Sequence, residues 1–164
     1  MSEIIVRDAT DHDAAIIAEI YNHYISGSTA TFDTEPKTAE ERRAWLATHD
    51  LAHPVLVAED SGAVVGWGSL TAWGARPAWR HTVEISSYVA PDSRGRGIGP
   101  LLMGALLERA RQAGHHAVLA QIVAENEASL RVTQRAGFEI VGHLREVGRK
   151  FDRWLDVVIL EKNL

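Results

Sequence analysis

The chain has 164 residues, the length of one domain that can bury its own core without metal or disulfide staples. Its 17 Lys and Arg stand against 22 Asp and Glu, a formal charge of −5 that disfavours nucleic-acid and anionic-membrane partners. The absence of cysteine excludes disulfide frameworks, thiol nucleophiles and Cys-based zinc sites.

Residues 1–7 mix Glu3 and Arg7 with the apolar Ile4, Ile5 and Val6, unlike the ordered charge of a signal peptide. No later run approaches the ~18 apolar residues of a membrane span. A soluble cytoplasmic protein is therefore expected. Ile4 to Val6 predict an opening strand. Thr10 with Asp13 caps a helix over about 11–25, in which Ile16, Ile17, Ile20, Tyr21 and Tyr24 recur at helical spacing. Residues 26–36 lack any period and read as a long loop, a kind of segment that is often functional. Thr38 and Glu41 form a second capping box for a short helix through Trp45 and Leu46.

Residues 54–60 and 64–70 are two apolar runs separated by Ser61-Gly62-Ala63, a hairpin signal. A loop from Trp73 to Trp79 leads to the longest strand candidate, 82–89. A glycine-rich loop follows, then a helix ending at Gly114, a strand over 117–123, and a helix capped by Asn126 that ends at Ala136-Gly137. Two strands close the chain at about 138–147 and 154–161, with Trp154, Leu155, Val157, Val158, Ile159 and Leu160 expected to be buried. The order β-α-α-β-β-β-α-β-α-β-β predicts a single α/β (α+β) domain over 1–164. Its sheet should be mixed and mostly antiparallel, with a parallel central pair and helices on both faces.

The segment Arg94-Gly95-Arg96-Gly97-Ile98-Gly99-Pro100 passes from strand to helix. Glycines at alternate positions let the backbone turn tightly and leave its N–H groups uncovered, which suits an anionic diphosphate at a helix N-terminus. Arg94 and Arg96 add positive charge. A Walker A loop would need Gly-Lys-Ser/Thr, and a dinucleotide fingerprint a third glycine where Pro100 or Leu102 stands, so neither nucleotide motif fits. A solvated glycine loop is the competing reading.

Arg94, Gly97 and Gly99 form Arg-x-x-Gly-x-Gly, which resembles the pyrophosphate motif of the GNAT acyltransferase superfamily, whose members carry acetyl-coenzyme A. Pro100 departs from an all-donor cradle because it has no N–H. The run Asn126-Glu127-Ala128-Ser129-Leu130-Arg131-Val132, followed by Ala136-Gly137-Phe138, resembles the superfamily helix that places an Asn beside the cofactor. Asn126 as a plain helix cap is compatible with that role. The resemblance thus implies a GNAT-like fold, with acetyl-CoA held by residues 94–100, Asn126 and Ser129.

Acetyl transfer to an amine needs a proton acceptor, and Glu84 is the only acid in the strand 82–89. A central-strand acid needs a partner or a purpose, so a structural Glu84 held by Arg80 or His81 is the alternative. Backbone groups of Ser87, Tyr88 and Val89 would meet the cofactor's pantetheine arm if the neighbouring strand diverges there, and an N–H in the same stretch would serve as oxyanion donor. Many GNAT enzymes carry a Tyr where this chain has Thr133. Tyr88 is the substitute general acid, and protonation by solvent is the other route.

Residues 31–36, Arg76-Pro77 with Arg80, Thr82-Val83-Glu84 and 148–156 are similar to the phosphinothricin and methionine sulfoximine N-acetyltransferase branch across nearly the whole chain. That resemblance implies acetylation of the α-amino group of a small amino-acid analogue by a cytoplasmic homodimer. It assigns Arg76, Pro77, Ala78, Glu84, Ile85 and Ser86 to the acceptor. Arginine suits an acceptor's oxygens, so Arg76 and Arg80 are expected at the pocket, with Phe32 and Trp73 as walls. A polyamine, aminoglycoside or protein N-terminus as acceptor, and a non-catalytic acyl-CoA sensor, are the alternatives. His49, His53, His115 and His116 lack an acidic ligand pattern and are expected at the surface, with no metal site.

Overall fold

The computed structural model describes residues 2–164. Seven strands form one sheet in the order β1-β2-β3-β4-β5-β7-β6. They are β1 (Ile4–Asp8), β2 (Val55–Asp60), β3 (Ala63–Ala72), β4 (Thr82–Val89), β5 (Ala117–Val123), β6 (Glu139–Lys150) and β7 (Arg153–Asn163). The helices are α1 (Ala14–Gly27), α2 (Ala39–Ala47), α3 (Ile98–Gln112) and α4 (Glu127–Arg135), so the element order matches the sequence expectation. Every strand pair is antiparallel except β4 with β5, which is parallel.

Alternation along the strands builds two apolar layers. Leu56 and Ala58 of β2 and Val83 and Ile85 of β4 pack with Leu102, Leu106 and Ala110 of α3. On the opposite face Val55, Val57 and Trp67 pack with Ile17, Ile20, Tyr21 and Tyr24 of α1. The sheet therefore carries helices on both faces, and β4 presents Glu84, Ser86 and Tyr88 towards the α1–α2 side.

Helix ends follow their capping residues. Glu41 N–H donates to Thr38 Oγ1 at 3.1 Å while Thr38 N–H donates to a Glu41 oxygen at 2.7 Å, closing the predicted box. At the first helix the turn Asp11–Asp13 is 3-10, and the α-helix runs from Ala14 to Gly27, two residues beyond the expected end. Asp13 is occupied there: it accepts from Thr10 N–H at 2.8 Å and from both Nη atoms of Arg7 at 2.8 and 3.0 Å.

Two expectations are corrected. Trp154 is exposed on β7 while Leu155, Val157, Val158 and Leu160 are buried, because strand alternation turns it away from the core. His115 is buried and its Nε2 is hydrogen-bonded with the Ala52 carbonyl at 2.6 Å, so it is a core residue rather than a surface histidine. Among the described residues no helix is long and apolar enough to cross a membrane.

Candidate active site

β4 and β5 pair only at Thr82 with Ala117, Val83 with Val118 and Glu84 with Leu119. Beyond Glu84 the two strands splay, although β4 runs on to Val89 and β5 to Val123. A cavity of about 490 Å³ fills the opening. Ile85, Ser86, Ser87, Tyr88 and Val89 line it from one strand, Ala120, Gln121 and Ile122 from the other, and the glycine loop and α4 close its far end.

The backbone directions in β4 decide which groups reach this gap. The carbonyls of Ser86 and Tyr88 lie against Gly68 and Gly66 of β3. The alternate residues Ser87 and Val89 therefore turn their polar groups away from β3, towards the opening. The Val89 carbonyl already accepts from the Tyr24 hydroxyl at 2.5 Å. Ser87 N–H and C=O and Val89 N–H remain to face the gap, whereas Tyr88 contributes its side chain rather than its backbone.

The glycine loop follows a short 3-10 turn at Pro91–Ser93. Gly95 and Gly97 adopt φ of 75° and 78°, left-handed values that other residues adopt only under strain, and Gly97 caps α3. Among the described residues the N–H groups of 94–99 have no backbone partner; the first to bond back is Leu101, to the Gly97 carbonyl at 3.2 Å. Pro100 is the third residue of α3, where an N–H would have no intrahelical acceptor, so the proline costs the helix nothing.

Arg94, Gly95, Gly97, Ile98, Gly99 and Pro100 all line the cavity, as do Asn126 and Ser129. Asn126 also caps α4 by accepting from Ser129 N–H at 3.2 Å. Arg94 donates to the Tyr24 hydroxyl at 3.3 Å and lies over that ring. Arg96 is different: its guanidinium pairs with Asp60 at 2.7 Å and does not line the cavity. Its expected place at the cofactor is corrected, because alternation in the loop turns it towards the end of β2.

Glu84 stands at the fork of β4 and β5. Neither Arg80 nor His81 holds it; those two bond each other at 3.1 Å on the surface. Its partner is Gln121, whose side-chain amide donates to the carboxylate and which itself lines the cavity. Gln121 lies two residues beyond Leu119, the last β5 residue paired with Glu84, and so shares its face. Sequence reasoning missed Gln121, and its alignment with Glu84 emerges only from the strand register.

Tyr88 packs against Tyr21, Tyr24 and Trp67, with ring centroids 5.1, 5.3 and 5.0 Å away. Burial, then the neighbouring Tyr21, pushes its hydroxyl well above the usual tyrosine value. It stays protonated through the physiological range and is a hydrogen-bond donor rather than a strong acid. The Tyr21 hydroxyl, raised to about 12 by burial and by its bond to Asp33, behaves alike.

Of the residues expected at the acceptor, Ile85 and Ser86 line the cavity. Phe32 does not; its ring lies on Gly148 of β6, where any Cβ would overlap it. Arg76, Pro77, Ala78 and Arg80 are exposed around a short 3-10 turn at Pro77–Trp79, outside the cavity. Residues not anticipated lie under the 28–36 loop. Lys150, 6% exposed, donates to the carbonyls of Ser28 and Thr31 at 2.7 and 2.8 Å, and burial lowers its pKa.

Residues 17–138 match the model of the Acetyltransferase (GNAT) family. The chain belongs to the GNAT acetyltransferase family. The phosphinothricin N-acetyltransferase of Streptomyces coelicolor is 42% identical over 167 residues, spanning 99% of this chain and 98% of its own. The L-methionine sulfoximine/L-methionine sulfone acetyltransferase of Pseudomonas aeruginosa is also 42% identical, over 97% and 94%. A Salmonella typhimurium protein solved with its cofactor acetyl-CoA superposes with a TM-score of 0.95 at 36% identity, covering 98% of this chain and 94% of that one.

The residues of this GNAT domain fit acetyl-CoA. Free loop amides at a helix N-terminus suit a diphosphate, and an open strand edge at Ser87 and Val89 suits the amides of a pantetheine arm. The cavity runs between them.

Proposed function

We propose that this acetyltransferase moves the acetyl group of acetyl-CoA to the α-amino group of a small amino-acid analogue of the phosphinothricin, methionine sulfoximine or methionine sulfone type. One observation carries the reading. The lone carboxylate of β4 sits at the fork where the strand pair opens into the coenzyme-sized cavity, fixed there by a cavity-lining amide. The two relatives at 42% identity, aligned over nearly the whole chain, support the acceptor class by the substrates in their names.

Acetyl-CoA supplies an activated thioester. Residues 94–99, with Asn126 and Ser129 beside them, hold its polar end, and Arg94 adds the positive charge. Ser87 and Val89 orient the arm so that it points towards Glu84. Glu84 accepts the proton of the attacking amine, directly or through one water, which converts an ammonium into a nucleophile. Gln121 keeps the carboxylate aimed while that proton arrives. Tyr88 donates its hydroxyl hydrogen bond from the same face of β4, and Ile85 and Ser86 wall the acceptor.

The same reading extends to the assembly and the setting. The β6–β7 hairpin leaves Ile140, Val141, Val147, Phe151 and Trp154 exposed, an apolar face that a second copy of the chain would cover. We place the working enzyme in the cytoplasm as a homodimer of single-domain chains. Arg76, Pro77, Ala78 and Arg80, exposed in one chain, would contribute to the acceptor by closure of their loop, and Phe32 as the wall near Gly148.

The test is a panel of acceptors assayed for free thiol with acetyl-CoA. Methionine sulfone, methionine sulfoximine or phosphinothricin should release thiol far faster than spermidine, an aminoglycoside or a peptide N-terminus. Preference for a polyamine or aminoglycoside would overturn the acceptor assignment. Coenzyme binding without turnover on any amine would point to a sensor instead.

A further inference from the structure

Arg42 of α2 is an arginine that the fold has buried without giving it a partner. It is 9% exposed, and its Nε is enclosed with no hydrogen-bond acceptor. Its guanidinium lies over two rings, 4.5 Å from the centroid of Trp45 and 5.2 Å from that of Tyr21. The nearest carboxylates are committed elsewhere. Asp33 accepts from the Tyr21 hydroxyl, and Glu41 accepts from Thr38 N–H in the capping box at 2.7 Å.

A second donor in the same aromatic box is also unpaired. Trp67, 2% exposed, has its Nε1 buried without an acceptor, and its ring packs 5.4 Å from Trp45 and 5.6 Å from Tyr21. Buried donors are nearly always satisfied, and a buried charge without a counter-charge is the costliest exception. Two such donors around one cluster point to an anionic group that the chain does not itself supply.

The cluster borders the reactive end of the site. Tyr88 touches Tyr21 and Trp67 and shares its face of β4 with Ser86 and Glu84. Ser86, between them, is small and lines the cavity. An acceptor whose amine approaches Glu84 over Ser86 therefore extends towards the Arg42 side.

We propose that Arg42 is the receptor for the acceptor's α-carboxylate. The assignment rests on the amino-acid reading above. Of the acceptor types named there, the sulfone and sulfoximine side chains are neutral, so the α-carboxylate is the one full negative charge common to all. Guanidinium matches a carboxylate through paired N–H groups, and the aromatic walls hold its fork in place while excluding water. Arg42 thus sets specificity for amino acids over simple amines.

The test compares methionine sulfone with its α-carboxamide as acceptors, using wild type, R42M and R42K. Wild type should favour the acid by a factor of at least about ten. R42M should raise KM for the acid by a similar factor, leave KM for acetyl-CoA within about two-fold, and lose the preference over the carboxamide. R42K, which keeps the charge without the fork, should fall between and covers the case in which R42M does not fold.

Equal loss on acid and carboxamide would make Arg42 a structural plug and overturn this assignment alone. So would a wild-type enzyme indifferent to the carboxylate. Failure of wild type to acetylate any amino acid would instead overturn the functional reading, and this assignment with it.

Discussion

The Gln121 side-chain amide donates to the Glu84 carboxylate across the last rung of the only parallel strand pair. The bond spans the fork at which the sheet opens, so it fixes a charged group where backbone pairing ends. If Gln121 is a positioning residue, Q121A should lower kcat about ten-fold with little change in KM for acetyl-CoA, and it should alter the pH profile of kcat. Q121E, which places a second carboxylate beside the first, should raise the apparent pKa of the acid limb. An unchanged profile in both variants would show that Glu84 needs no such support.

Gly97 offers a second test, in which space and backbone conformation make separate demands. A Cβ there meets nothing within 4 Å, so size alone is harmless, but φ is 78°. Left-handed conformation costs a non-glycine residue roughly 1–2 kcal/mol, more when it is β-branched. G97V should therefore lose about 2 kcal/mol of stability in urea unfolding. It should also weaken acetyl-CoA binding by at least ten-fold in calorimetry, because the amides of the loop are displaced. Unchanged affinity would place the diphosphate elsewhere.

Lys150 ties β6 to the 28–31 segment through two carbonyls. Replacing it by Met keeps most of the volume and leaves those carbonyls without their donor. The expected loss is about 1–3 kcal/mol for unsatisfied buried acceptors. Because the same segment leads into Phe32 and Asp33, K150M should also raise KM for the acceptor more than KM for the coenzyme. Full stability in chemical denaturation would show that the carbonyls find water instead.

Acid stability depends in part on Glu125. Its carboxylate accepts from Arg153 at 2.9 and 3.0 Å and from the Thr29 hydroxyl at 2.7 Å, which lowers its pKa to about 2 from an ordinary 4.5. A depressed folded value means that this contribution is complete above about pH 4.5 and disappears as the pH falls through about 2. E125Q should be less stable than wild type at neutral pH and should lose the part of the acid slope within that window. Parallel pH–stability curves for the two proteins would contradict the pairing.

Much of this architecture was legible in the sequence because it is local. The capping box at Thr38, the glycine spacing at 95–99 and the Asn126 cap each act within a few residues, and each formed as read. Element order followed from the same short-range signals. What escaped depends on contacts between distant segments. Arg42 lies in a run of charged residues, Glu40 to Arg43, that reads as a solvated helix face; only docking of α2 beside α1 and the aromatic residues of β3 buries it. Gln121 looked like an ordinary strand residue until the β4–β5 register set it beside Glu84. Trp154 failed in the other direction, since an apolar run does not reveal which of its faces the sheet leaves open.

The most direct measurement is multiple-turnover acetylation of methionine sulfone, with the product identified by mass spectrometry and compared between wild type and E84Q. The account predicts acetyl on the α-nitrogen, kcat lowered by at least about a hundred-fold in E84Q, and acetyl-CoA affinity unchanged. Undiminished turnover by E84Q would contradict the role of the carboxylate at the β4–β5 fork.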